Sequence, residues 1–124
     1  MIITLLQSKI HRATVTAADL HYNGSITIDA DLLELAGLVE YQQVDIYNIT
    51  RGSRFTTYAL IGQRNSGVIK INGAAAHHAA VDDLVIIAAY CQVEQSQAEG
   101  WQPKLVFVNA QNQPESTVPQ NLPV

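Results

Sequence analysis

The apolar and β-branched residues of this chain come in short runs, and each run meets a turn signal before it reaches the length of an ordinary helix. Ile2 to Leu6, Ala13 to Thr16, Ser25 to Ile28, Val44 to Thr50, Phe55 to Ile61, Val68 to Ile71, Val81 to Tyr90 and Lys104 to Asn109 read as strands. In one of them Val44, Ile46 and Asn48 face one way and Asp45, Tyr47 and Ile49 the other. Arg51-Gly52-Ser53 reads as a hairpin turn, and Gln63 to Gly67 as a second polar turn. The run Leu84 to Tyr90 has no alternation and suits a strand buried on both faces. Helix signals are few. Asp29 can cap a helix that runs through Ala36 and stops at Gly37, with Leu32, Leu33 and Ala36 turned inward. A second short helix, Ala74 to Ala80, can follow Gly73. Many short strands with regular turns predict a mainly β chain closed, or nearly closed, into a small barrel.

The 124 residues suit one domain, and 48% of them are apolar, enough for a core. That domain is expected to span residues 1–109. From Ala110 to Val124 the chain turns to Gln, Asn and Pro and reads as a loosely ordered tail. A formal charge of −4 argues against nucleic acid as a partner. Lys9, Arg12, Arg51, Arg54 and Arg64 nevertheless lie in the first 64 residues, so an anionic small molecule could find a local basic pocket. The lone Cys91 cannot form an internal disulfide. It reads as an inert filler after a buried strand, in a reducing, cytoplasmic setting. No basic leader precedes an apolar stretch at Met1, and no run approaches the ~20 apolar residues of a membrane helix.

Familiar catalytic patterns are missing. The chain has no Gly-rich phosphate loop and no Gly-x-Ser-x-Gly elbow. His11, His21, His77 and His78 lack metal-ligand spacing, so no metal is expected. What stands out is Asp19-Leu20-His21-Tyr22-Asn23-Gly24-Ser25-Ile26. Gly24-Ser25 on its own is an ordinary turn. It can also break its own peptide bond. A serine hydroxyl can attack the preceding carbonyl when the backbone is strained, and glycine there permits unusual torsions and leaves the carbonyl open. The product is an ester. Elimination from it leaves dehydroalanine, which hydrolyses to a pyruvoyl group on the new N-terminus.

Leu6-Gln7-Ser8-Lys9-Ile10-His11-Arg12, Ala18 to Ser25, Tyr47-Asn48-Ile49-Thr50-Arg51-Gly52-Ser53-Arg54-Phe55-Thr56-Thr57-Tyr58, and Ile71-Asn72-Gly73-Ala74-Ala75-Ala76-His77 together resemble the pyruvoyl-dependent aspartate α-decarboxylases, in that family's order and spacing. The resemblance runs from Met1 to about Tyr90 and more weakly to Asn109. It implies a six-stranded double-psi β-barrel, a homotetramer with sites at subunit interfaces, and self-cleavage between Gly24 and Ser25 into chains 1–24 and 25–124. A maturation factor for that step is left open. It further implies decarboxylation of L-aspartate to β-alanine and CO2 through an imine with the pyruvoyl group, for pantothenate and coenzyme A synthesis, without pyridoxal phosphate.

The roles it implies are chemically sensible. Ser25 is the covalent centre, because no side chain is an adequate electron sink. Arg54 can grip a substrate carboxylate bidentately and Lys9 can add a point charge. Tyr58 is the proton donor to Cα. The Thr57 hydroxyl stabilises the oxyanion of self-cleavage and lies on the strand face opposite Thr56. Asn72, Gly73, Ala74 and Ala75 form the other side of the site. His11 and Tyr22 are second-tier residues, for proton movement during maturation and for lining the pocket. Other readings of the same residues remain: a non-catalytic ligand-binding barrel, a serine hydrolase using Ser25 with His11 or His21, or a pyruvoyl decarboxylase of another acidic amino acid.

Overall fold

The computed structural model describes residues 1–115. Its strands are β1 (Ile2–Thr14), β2 (Ala17–Asp19), β3 (Ser25–Asp29), β4 (Gln43–Asn48), β5 (Arg54–Gly62), β6 (Ile69–Asn72), β7 (Leu84–Glu94) and β8 (Lys104–Phe107). One α-helix, α1 (Ala30–Ala36), follows β3, and two short 3-10 turns cover Gly73–His77 and Gln95–Gln97. The chain is mainly β, as expected.

The strand order is β2-β6-β3-β5-β4-β7-β1-β8. β2 stands at one end of that order, yet only Val15 and Thr16 separate it from β1 near the other. At these two residues the chain changes partner. Val15 N–H donates to Asp83 O at 2.9 Å, on the β7 side, and Thr16 N–H donates to Ile69 O at 2.8 Å, on β6. The Thr16 hydroxyl adds to the join by accepting from Ile69 N–H at 2.9 Å. With β1 and β2 counted as one continuous strand, six strands make a closed ring and β8 is an extra strand parallel to β1. Closure removes the unpaired edges that a sheet of this size would otherwise expose.

The ring is filled by β-branched side chains. Ile10, Ile26, Ile28, Ile46, Ile69, Ile71 and Ile87 are all fully buried, each worth about 1.5–3 kcal/mol of transfer free energy. Val44, Ile46 and Asn48 do share the buried face of β4. The two strands expected at Ile2–Leu6 and Ala13–Thr16 are one long β1, kept in register with β7 by irregularities between Leu6 and Ser8 and between Ile10 and Ala13. Arg12 lies in the second irregularity with φ 63°, a bulge that bends the strand around the ring. β7 continues to Glu94, so Cys91 lies within that strand instead of after it.

Asp29 caps α1 as expected, accepting from Asp31 N–H at 2.8 Å, and Gly37 ends it in the left-handed conformation. Leu32, Leu33 and Ala36 are buried. The same carboxylate accepts from Asn65 N–H at 3.1 Å and Gly67 N–H at 2.8 Å, tying the polar turn to the helix. The expected helix Ala74–Ala80 is instead the five-residue 3-10 turn Gly73–His77. Of the expected tail, residues 116–124 lie outside the described residues. The part before them is built into the fold. Asn112 is buried, donates to Thr14 O and Gly67 O at 2.8 Å each, and accepts from Thr14 N–H at 2.7 Å. Its side chain supplies the backbone partners that no strand provides there.

Asp29→Ala removes three carboxylate hydrogen bonds at once. It is expected to lower unfolding free energy by about 3 kcal/mol, measured by urea denaturation, while Asp29→Asn loses less because its amide oxygen can still cap α1.

Candidate active site

The ring's closure decides where Gly24-Ser25 lies. β2 and β3 flank β6 on opposite sides, and Asp19 and Ser25 both register against Asn72. Residues 20–24 must therefore cross over the end of β6 in one short step. They lie directly on Gly73. A Cβ at Gly73 would sit 2.7 Å from Gly24 N and Cα and 2.8 Å from Tyr22 O, and Gly73 has φ 71°. Only glycine allows this crossing. The unusual torsion expected at Gly24 is thus found at Gly73. Gly24 has no left-handed φ, and a Cβ there would meet nothing within 4 Å. The left-handed torsion of this crossing lies at Gly73, where glycine adopts it without strain.

Ser25 is fully buried at the start of β3. Its hydroxyl donates to Asn23 O at 3.1 Å and accepts from Asn72 Nδ2 at 3.0 Å. Alternation along β3 puts Thr27 on the same face, and its hydroxyl also accepts from Asn72 Nδ2, at 3.0 Å. Thr27 was not singled out in the sequence, although the two-residue period from Ser25 points to it. Asn72 Oδ1 is buried without a hydrogen-bond partner among the described residues. A buried amide oxygen left bare is costly, so this corner holds an acceptor ready for a group the folded chain does not supply.

A cavity of about 420 Å³ opens beside this corner, lined by Gly24, residues 55–58, Ala74, Ala75 and His78. Four consecutive residues of β5 contribute, so the cavity lies along the strand. Thr57 shares the inward side with Phe55 and Ala59, and Tyr58 the outward side with Arg54 and Thr56. The Tyr58 ring meets that of Tyr41, centroids 6.3 Å apart. His78, which had no expected role, stacks on Phe55 at 5.6 Å. A polar frame holds the far wall. The His78 carbonyl accepts from Asn48 Nδ2 at 3.0 Å and from the Ser53 hydroxyl at 2.6 Å. Asp83 accepts from Ala80 N–H, Asn48 Nδ2 and Arg51 Nε. Burial opposes ionisation of Asp83, but these donors outweigh it and hold the carboxyl below its usual range.

The structure therefore brings together Gly24, Ser25, Thr57, Tyr58, Asn72, Gly73, Ala74 and Ala75. Among the described residues lining the cavity, Lys9 and Arg54 are not found. Register places them on the same sheet face as Thr56 and Tyr58, which do line the cavity, so strand face alone does not keep them out of it. Lys9 pairs with Ala88, Ala88 with Asp45, and Asp45 with Thr56, while Arg54 pairs with Tyr47 and Tyr47 with Ile86. Directly opposed residues share a sheet face, so both cations stand on the outer face of β1, β7, β4 and β5. His11 is also away from the cavity, edge-on to Phe107 at 5.3 Å with Nδ1 buried and unpartnered among the described residues. Burial first, then the charges of Lys9 and Arg12, lowers its pKa. Tyr22 is exposed, with Lys70 Nζ 5.0 Å from its ring centroid. Its backbone, not its ring, meets the site.

Fold and site together define a small β-barrel protein with a buried, hydrogen-bonded serine beneath a sharp crossing and a cavity beside it. A family model described as aspartate decarboxylase matches residues 1–115. An aspartate 1-decarboxylase of Albidiferax ferrireducens is 57% identical over 112 residues, covering 90% of this chain and 83% of the relative. One from Syntrophus aciditrophicus is 58% identical over 109 residues, covering 88% and 94%. The chain belongs to the aspartate decarboxylase family. A rationally designed protein of known crystal structure is also similar, at TM-score 0.48 and 10% identity over 62% of this chain and 90% of its own, a likeness too slight to carry an argument.

Gly73→Ala is expected to lower stability by about 2 kcal/mol or more, since it adds left-handed strain and displaces the crossing. Gly24→Ala, at an open position, should cost under about 0.5 kcal/mol by the same denaturation measurement. Lys9 gives a second expectation. It is buried, and desolvation lowers its pKa from 10.5. The folded state then binds fewer protons than the unfolded state between the lowered and the ordinary value, so stability rises with pH across that window. Lys9→Met should be more stable than the parent at neutral pH, and its melting temperature should lack the parent's alkaline rise.

Proposed function

We propose that this chain is a self-processing decarboxylase that removes the 1-carboxylate of L-aspartate, giving β-alanine and CO2, with Ser25 as the source of its pyruvoyl group. The observation that carries the reading is the Ser25 hydroxyl, buried and held by Asn72 Nδ2 beneath an open Gly24. Attack of that oxygen on the Gly24 carbonyl carbon forms the ester as the Gly24–Ser25 C–N bond breaks, and the nitrogen becomes an amine. The Asn72 amide is a donor already in place for charge on Oγ, and Thr57 is a second hydroxyl bordering the same cavity. Elimination releases the Gly24 carboxylate, and hydrolysis of dehydroalanine releases ammonia. The products are chains 1–24 and 25–124.

The residues present fit such a group. The Asn72 oxygen offers it an unmet acceptor, and the cavity at Gly24 leaves space above it. When formed, its ketone and amide carbonyls would accept the electron pair released as CO2 leaves. The chain's own residues do the rest. Tyr58 borders the cavity and returns a proton to Cα. Asn72 to Ala75 form one wall around the substrate. Arg54 and Lys9 hold its carboxylates, the arginine through a two-pronged hydrogen bond.

Those cations do not line the cavity of their own chain, and in this reading they serve the cavity of a neighbouring copy. A homotetramer with sites at its interfaces is the arrangement this reading requires. Exposed Ile61, Tyr41, Val39 and Tyr22 provide apolar surface for it. The retention of Lys9 at a cost in stability is what a residue kept for function looks like. The product supplies pantothenate and coenzyme A synthesis, in a cytoplasmic setting that suits a chain whose one cysteine is unpaired. A hydrolase using Ser25 is disfavoured, because among the described residues the partners of its hydroxyl are a carbonyl and an amide, and no imidazole.

Denaturing mass measurement on the purified protein is expected to give two species, with residue 25 blocked at the N-terminus and reactive to hydroxylamine. Ser25→Ala should give one chain of 13.5 kDa and no decarboxylation. Tyr58→Phe should still cleave but lose kcat by a factor on the order of 10² to 10⁴. A fully active protein that remains a single chain would end this reading.

A further inference from the structure

On the outer face of the sheet, Arg54 has an aromatic support that the reading above does not use. Its guanidinium carbon lies 4.4 Å from the centroid of the Tyr47 ring, directly opposite across the β4–β5 pair. The Tyr47 hydroxyl in turn lies 2.8 Å from that of Tyr90, which comes from β7, the next strand. Either hydroxyl can donate.

An exposed arginine carries about 2 kcal/mol of rotamer entropy, most of which is lost when it must hold a carboxylate in one geometry. A ring beneath the guanidinium plane removes part of that freedom beforehand. A ring contact at the guanidinium carbon uses none of the cation's N–H donors as a hydrogen bond. Among the described residues, none of those donors meets a carboxylate. Asp45, the acid nearest along β4 on the same face, is engaged instead by the Thr56 hydroxyl at 2.6 Å. Tyr47 itself is held from the far end. A lone ring half-buried on a strand can swing about its side-chain torsions; one tied at its hydroxyl to the neighbouring strand is fixed at both ends. Burial first, then the Tyr90 hydroxyl, pushes the Tyr47 phenol up to about 12, against the opposing pull of Arg54. The ring therefore stays neutral through the working range, and its face remains available to the cation.

We propose that Tyr47, locked by Tyr90, is a positioning residue that presents the free edge of Arg54 to the substrate carboxylate. This rests on the assignment of Arg54 to carboxylate binding.

Steady-state kinetics of the processed enzyme with L-aspartate test it. Tyr47→Leu removes the ring face and is expected to raise KM about tenfold, with kcat within about twofold and self-cleavage unchanged. Tyr47→Phe keeps the face and should recover most of the loss, leaving an increase of about threefold. Tyr90→Phe should match that threefold change, and the double Phe variant should be no worse than either single one, because both remove the same hydrogen bond. In an Arg54→Ala background, Tyr47→Leu should add nothing. If Arg54→Ala raises KM strongly while Tyr47→Leu does not, the positioning role is overturned and the assignment of Arg54 stands. If Arg54→Ala leaves KM unchanged, the assignment itself falls and the proposal with it. Should Tyr47→Leu fail to fold, Tyr90→Phe decides, since it removes only a hydroxyl: an unchanged KM overturns the proposed lock.

Discussion

The barrel depends on a change of partner at Val15 and Thr16. Before it the chain belongs to β7, and after it to β6, through hydrogen bonds from two successive N–H groups. This closes the ring and fixes the position of everything at the end of β6. With β2 on one side and β3 on the other, five residues must bridge two interstrand spacings, roughly 10 Å. The bridge has no room to rise over a side chain, so Gly73 lies beneath it. The same crossing leaves Gly24 exposed and draws Ser25 into the interior, against Asn72. A site built for backbone cleavage would use this combination: an exposed glycine and a buried, oriented hydroxyl, set by strand pairing.

Asn72 is the junction between barrel and chemistry. Its Nδ2 is shared by the hydroxyls of Ser25 and Thr27, and its Oδ1 has no hydrogen-bond partner among the described residues. Behind it, Asp83, Asn48 and Arg51 hold the Gly73–Ala80 segment from the other side. The two walls of the cavity are therefore anchored by separate polar networks, each tied to a strand. Charge is handled differently. The barrel keeps its cations on the outside of β1 and β5, where one is desolvated at a cost and the other lies on an aromatic ring. The first arrangement costs stability, and the second holds its cation against the sheet.

Much of this was legible in the residues. The strands, the Asp29 cap, the Gly37 stop and the alternation of β4 follow from local rules, because side-chain period and capping chemistry act over a few neighbours. The motif blocks carried the family, and through it the names of Ser25, Thr57, Tyr58 and Asn72. Local rules failed where long-range pairing took over. β1 reads as two strands because the bulge at Arg12 interrupts its pattern, yet β7 holds both halves in register. Ala74–Ala80 has helical composition, but the frame at His78 and Ala80 allows only one tight turn. Asn112 sits in a stretch that looks disordered by composition, and its burial depends on carbonyls 45 and 98 residues away.

The sequence by itself determined a mainly β chain, its turns, its family and the dipeptide where chemistry starts, since these depend on residue type and short spacing. Only the tertiary structure decided that the left-handed glycine is Gly73 and not Gly24, that Thr27 shares Asn72 with Ser25, and that Lys9 and Arg54 do not line the cavity beside the serine they were expected to serve. Each of these depends on which strands lie side by side and which face a residue takes. Strand register is set by closure of the whole ring, and no local stretch of sequence encodes it.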